Sequence, residues 1–161
     1  MKTAFLLLCA LFFTSKLFAQ KERELPFVLL IDQEIPIASI TDGYFEVRDT
    51  LKHVQTVIPF RYQVGKLILE DGQYRLLMQK GMAQDLYMHF NYMSHRTTYN
   101  KVLYTKCIPR GWLNATYTIL SVYNYFNKES RRRYVIPKKD YVSMLTVPGI
   151  GEALIMRRGP L

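Results

Sequence analysis

Three histidines, two cysteines and two close pairs of carboxylates are the residues of this chain best suited to catalysis or metal binding. The histidines are His53, His89 and His95. A zinc site takes three or four converging ligands at tight spacing. On a strand, His89 and His95 would share a face about 20 Å apart, so no metal is expected. Nothing local in the sequence marks Cys107 as an activated nucleophile. It lies in an apolar, strand-like run and reads as a buried thiol. The pairs Asp32/Glu34 and Glu70/Asp71 read as solvated loop acids, whereas a glycosidase needs two carboxylates facing each other across a cleft. The chain has no Gly-x-Ser-x-Gly, no P-loop and no His-Glu-x-x-His. No cofactor is expected, and the reading leans against an enzyme. An enzyme would have to gather His89, Asp85 or Cys107 in one cleft.

Positive charge is the second chemical resource. The formal net charge is +9. The C-terminal third carries Arg131, Arg132 and Arg133, then Lys138 and Lys139, then Arg157 and Arg158. Together these are a candidate anion-binding patch, with an affinity that salt would weaken. The plainer reading is a set of solvated cations that keeps strand edges from pairing with other chains. An envelope protein, an acidic polysaccharide or another anionic surface would be the partner.

Within that third, Val147-Pro148-Gly149-Ile150-Gly151 resembles the hairpin of helix-hairpin-helix DNA-binding modules. Glu152-Ala153-Leu154 continues the likeness, which covers about 20 of the 161 residues. The resemblance implies a helix on each side of the turn and glycine amides close to a phosphate, so it implies nucleic-acid binding through residues 138–158. The β-forming residues on both sides favour a different local structure, a β-hairpin turning at Pro-Gly-Ile-Gly.

Aromatic residues are the third resource: 12 Tyr, 9 Phe and one Trp. Tyr87, Tyr92, Tyr117, Tyr123 and Tyr125 would make a ligand-binding surface if their rings were exposed together. Cross-strand pairs that hold a sheet are the structural alternative.

The elements that must position these groups follow from patterning. Residues 4–13 are an unbroken apolar run behind Lys2, too short to span a bilayer. With Ala19 at the cut, residues 1–19 read as a cleaved secretory signal peptide. Cleavage removes Cys9, Lys2 and Lys16, leaving one cysteine and a net charge of +7, with 20 cations against 13 acids. A secreted or periplasmic location follows. Residues 20–26 read as a polar linker and 27–161 as one β-rich domain. Strands are expected over 27–31, 35–40, 44–48, 54–62, 66–70, 99–108, 115–126, 134–136 and 141–147; residues 82–95 read as a strand, although Met82, Leu86, Phe90 and Met93 also fit a helical stripe. Asp32-Gln33 and Asp42-Gly43 read as turns. Asp71-Gly72 reads as the type I′ turn of a hairpin joining 66–70 to 73–78. Residues 127–133 read as a charged loop. Turn signals every 8–15 residues and no strong amphipathic helix suggest a mostly β fold, a small antiparallel sandwich or barrel-like domain, with α+β as the alternative. An outer-membrane barrel is disfavoured, because strands near ten residues with an apolar outer face are not sustained.

Overall fold

The computed structural model describes residues 21–37, 39–49, 54–81, 84–93, 101–109, 111–138, 140–149 and 151–156. The expected signal peptide lies outside the described residues. The strands are β1 (Glu22–Ile31), β2 (Ile40–Asp49), β3 (Val54–Pro59), β4 (Arg61–Gln63), β5 (Lys66–Glu70), β6 (Asp85–Met93), β7 (Lys101–Ile108), β8 (Thr118–Asn124), β9 (Tyr141–Val147) and β10 (Gly151–Met156). Two short helices, α1 (Asp71–Gly81) and α2 (Lys128–Tyr134), and one 3₁₀ turn (Trp112–Asn114) complete the order. The fold is therefore mostly β. Among the described residues it has two sheets, in the order β10-β9-β8-β1-β5-β4 and β3-β2-β6-β7, and no closed barrel.

The larger sheet is mixed rather than purely antiparallel. β1 pairs antiparallel with β5 through residues 22–26 and then parallel with β8 through residues 27–31. Residues 22–26, expected as linker, are thus strand. The reason is long-range: their polar side chains face out and pair with β5 and its neighbours, as in Lys66–Glu24 (2.5 Å) and Arg61–Glu22 (2.7 Å). Alternation along β1 turns Leu25, Phe27, Leu29 and Ile31 inward. They meet Phe45 and Val47 of β2 and Leu86, Met88 and Phe90 of β6 in one hydrophobic cluster. Trp112, from the 3₁₀ turn, stands between the sheets. Its ring lies 5.6 Å from both Phe27 and Phe45.

One strand passes from sheet to sheet. After β3 the chain bends at Phe60 into β4, and Phe60 N–H donates to the Gly43 carbonyl at 2.9 Å. The Phe60 ring tucks inward against Phe45 at 4.9 Å. Asp42-Gly43 is not a hairpin turn. It is an irregularity inside β2, between Thr41 and Tyr44, with Asp42 in the left-handed region at φ 51°. Gly43 is required there by close approach: a Cβ would fall within 2.8 Å of three carbons of the Phe60 ring.

Three further expectations are corrected. The hairpin over 66–78 does not form, and residues 71–81 are α1. Asp71 sits at its start, accepts from Arg23 at 2.7 Å and pairs with Arg75 one turn on at 2.7 Å. The run Leu76-Leu77-Met78 lacks strand alternation, and Leu77 and Gly81 are the buried stripe. The hairpin partner of β5 is instead β4, across a turn with Gly65 at φ 83°, and β1 pairs on its other side. Residues 127–133 are not a loop and 134–136 are not a strand. Asn127 caps α2 by accepting from Glu129 N–H (3.0 Å) and Ser130 N–H (3.1 Å), and the arginines occupy the last turn, where the helix dipole favours cations. Finally, the segments flanking Pro148-Gly149 are strands. β9 and β10 pair antiparallel from Val147–Gly151 to Val142–Met156, so the helices implied by the DNA-binding resemblance are not there. The expected strands near 27–31, 44–48, 66–70, 82–95, 99–108, 115–126 and 141–147 are observed, whereas 54–62 is divided at Phe60 between β3 and β4 of different sheets and the strand expected from Ile35 begins only at Ile40; Asp32-Gln33 is a tight turn with both residues at positive φ.

Two glycine substitutions test this account in opposite directions. Gly43→Ala should cost about 1–3 kcal/mol in urea unfolding, because the Phe60 ring must leave its site. Gly72→Ala should gain about 0.5 kcal/mol, since its Cβ meets nothing within 4 Å in a helical turn. A loss at Gly72 would instead mark it as a hairpin turn.

Candidate functional site

The basic residues gather on the excursion between β8 and β9. Arg131, Arg132 and Arg133 are exposed on α2, and Lys138 is exposed in the turn that follows. Consecutive helical positions are about 100° apart, so the three arginines fan over more than half of the helix circumference. Lys128, which composition alone does not single out, is exposed on the same helix. Glu129 is the one acid in residues 125–138, and it is partly engaged by Arg133 at 3.5 Å. Arg131 lies over the Tyr125 ring at 4.9 Å, a cation–π contact that fixes one guanidinium without neutralising it. Lys139, Arg157 and Arg158 lie outside the described residues. Met156, just before the last two, pairs with Val142 near the foot of the same excursion.

Below the cations, the excursion is fastened by its own small core. Tyr123, Ile136 and Val142 are buried, with Tyr125, Tyr134 and Met144 against them, and the Tyr123 and Tyr134 rings are 4.3 Å apart. The five singled-out tyrosines therefore do not form one exposed surface. Tyr123 is buried and Tyr125 half-buried beneath α2. Tyr92 faces the main core, 6.4 Å from Tyr104. Tyr87 lies on the outer face of the smaller sheet under Arg48, at 4.1 Å. Tyr117 is exposed ahead of β8.

A polar network ties the excursion to the rest of the fold. The Asp32 carboxylate accepts from Asn124 N–H, Asn124 Nδ2 and Ser130 Oγ, each at 2.9 Å. Asn124 Oδ1 in turn accepts from the Tyr104 hydroxyl of β7. Asp32 is thus not a solvated loop acid. It links the turn after β1, the end of β8, α2 and the second sheet. Burial pushes the Tyr104 hydroxyl pKa up, so it stays a donor. Next to it, the Tyr141 hydroxyl both donates to the Thr105 carbonyl (2.8 Å) and accepts from its N–H (2.7 Å), which closes that stretch of the β7 edge.

The outer face of the smaller sheet holds the other concentration of chemistry. His89 Nε2 is 3.0 Å from Glu46 Oε2, and Nδ1 is 3.1 Å from Thr105 Oγ1. Arg48 clamps Glu46 at 2.5 and 3.2 Å and holds that carboxyl below its usual range. The Tyr44 ring lies parallel over His89 at 4.6 Å. His89 is only 6% exposed, and burial lowers its pKa against the pull of Glu46, so it is a neutral imidazole at neutral pH. Cys107 is exposed rather than buried, because its position on β7 points out, opposite Tyr87. Partial burial of its sulfur and the Asp85 charge push its pKa up, the opposite of an activated thiol. Both nitrogens of His89 face groups other than Cys107. Asp85, His89 and Cys107 share this sheet face, but the imidazole is covered and its partners are structural. His53 and His95 lie outside the described residues.

Lys106 points the other way, into the main core, and is 3% exposed. Its Nζ has no hydrogen-bond partner among the described residues, and burial lowers its pKa from 10.5 to about 8. An ammonium buried without a partner works against folding at neutral pH. The folded state sheds the proton near pH 8, while the unfolded state keeps it to about 10.5. Stability from this group therefore rises with pH between those values. Lys106→Met should be more stable at pH 7 and should lose that rise, as read from urea midpoints at pH 7 to 10. A less stable Lys106→Met at pH 7 would show that the amine has a partner.

In comparisons with known proteins, the chain matches no family model, no curated protein and no solved structure.

Proposed function

We propose that the protein is an exported, non-catalytic β domain that binds anionic surfaces at the cell envelope through α2 and its flanks. The observation that carries this reading is the excursion at residues 125–138. It presents Lys128, Arg131, Arg132, Arg133 and Lys138 to solvent with a single acid among them. A solvated helix kept only for solubility would be expected to mix signs at i,i+4 spacing. Here only Glu129–Arg133 does so. The fixed geometry of the excursion also lowers the ordering cost of binding.

Export rests on residues 1–19, whose Lys2, ten-residue apolar run and Ala19 fit a signal peptide. The two sheets, sharing one core, are read as an open sandwich. Against a catalytic role stands the setting of His89, buried, stacked under Tyr44 and facing Glu46. The helix-hairpin-helix likeness no longer supports nucleic acid in particular, so the cations are read as a general anion-binding surface.

Retention on an immobilised sulfated polymer across a salt series tests this reading. The purified protein should elute later than a neutral protein of its size. The Arg131→Ala/Arg132→Ala/Lys138→Ala variant should elute at clearly lower salt, because fewer counterions are released on binding. Co-elution of the variant with the parent would remove the excursion from the binding surface.

A further inference from the structure

Exposed apolar side chains occur on both chain segments that the Asp32 network joins, one of which carries the cations. Phe126 precedes the cap of α2 and is 53% exposed, and Val135 follows the helix at 80%. Ile35 (47%) and Ile37 (84%) follow the Asp32 turn. The Asp32 carboxylate holds both segments to one site through Asn124 and Ser130. These four are half of the large apolar residues found exposed among the described residues.

Val135 carries a second, independent signal. It sits in the left-handed region at φ 52°, ψ 47°, immediately after α2. Glycine is the usual occupant of that position, and a β-branched residue there is strained by about 1–2 kcal/mol. The strain gains no burial, since the side chain points into water. A strained, solvent-facing valine beside a row of arginines has no role in folding that the contacts reveal.

We propose, building on the anionic-surface reading above, that these two segments dock on a lipid bilayer with anionic headgroups, with Ile37, Phe126 and Val135 entering the interface while the α2 cations meet the phosphates. The two contributions are of the expected kind. Each Lys or Arg near an anionic leaflet adds about 1 kcal/mol, and apolar tips add affinity in proportion to the area they bury. A soluble polyanion would use the cations and leave the apolar tips in water.

Co-sedimentation with phosphatidylglycerol/phosphatidylcholine vesicles and with pure phosphatidylcholine vesicles tests the proposal, with the sulfated polymer run in parallel. The parent should bind the anionic vesicles and leave the neutral ones. Ile37→Ser, Phe126→Ser and Val135→Gly should each weaken vesicle binding by roughly three- to tenfold, with polymer retention unchanged. Val135→Gly also guards against misfolding, since it should unfold at higher urea than the parent while binding vesicles less. Polymer binding without vesicle binding, or vesicle binding indifferent to all three substitutions, would overturn the lipid assignment and leave the anionic-surface reading intact. Binding to neither would overturn both, and equal binding to neutral vesicles would overturn the role given to the cations.

Discussion

Asn124 is where four parts of this fold are fastened together. Its backbone N–H and side-chain amide both donate to Asp32, 92 residues away, and its carbonyl oxygen accepts from Tyr104. Asp32 takes a third bond from Ser130 of α2. Hydrogen bonds to a charged group contribute about 1.5–3 kcal/mol each, and an ionised carboxylate left without its partners costs more than a neutral group does. The network therefore acts as a unit. It fixes the parallel register of β1 on β8, it sets where α2 lies, and through Tyr104 it reaches the second sheet. Ser130 of α2 and the turn that leads to residues 33–37 both hang from it.

The rest of the interior combines stabilising contacts with buried polar atoms left without a hydrogen-bond partner among the described residues, Trp112 Nε1 and Lys106 Nζ among them. Phe27, Phe45 and Trp112 fill the space between the sheets, and Phe60 turns the chain from one sheet to the other because Gly43 leaves room for its ring. Tyr141 covers the free backbone of Thr105, which otherwise would offer an open edge beside the core. Lys106 works against these. Its ammonium is buried with no partner among the described residues. The outer face of the smaller sheet is stapled by Glu46, Arg48, His89 and Thr105, an arrangement that holds three strands in register by polar contacts.

Alternation was enough to read most strands. Leu86, Met88 and Phe90 alternate with Tyr87, His89 and Asn91, and the structure buries the first set in the main core. Two local signals misled. Asp71-Gly72 and Asp42-Gly43 have the composition of hairpin turns, yet neither glycine uses positive φ. One opens a helix and the other makes room for an aromatic ring. α2 was legible in retrospect from Asn127 two residues before Glu129 and from arginines at the far end, but a charge run reads first as loop. Asp32 could not be understood locally, because its partners come from residues 124 and 130. The inward side of Lys106 was equally hidden, since residues 101–108 lack a clean alternation. The basic surface was partly legible. Arg131 to Arg133 and Lys138 were visible as charges, whereas the exposed apolar tips beside them needed the fold.

In the docking proposed above, the Asp32–Asn124–Ser130 network presents residues 33–37 and 125–138 together. Amide hydrogen exchange on the full chain, with and without phosphatidylglycerol vesicles, tests it directly. Exchange should slow together in those two segments and stay unchanged along β3 and β6. Slowing confined to the outer face of the smaller sheet, or in only one of the two segments, would contradict it.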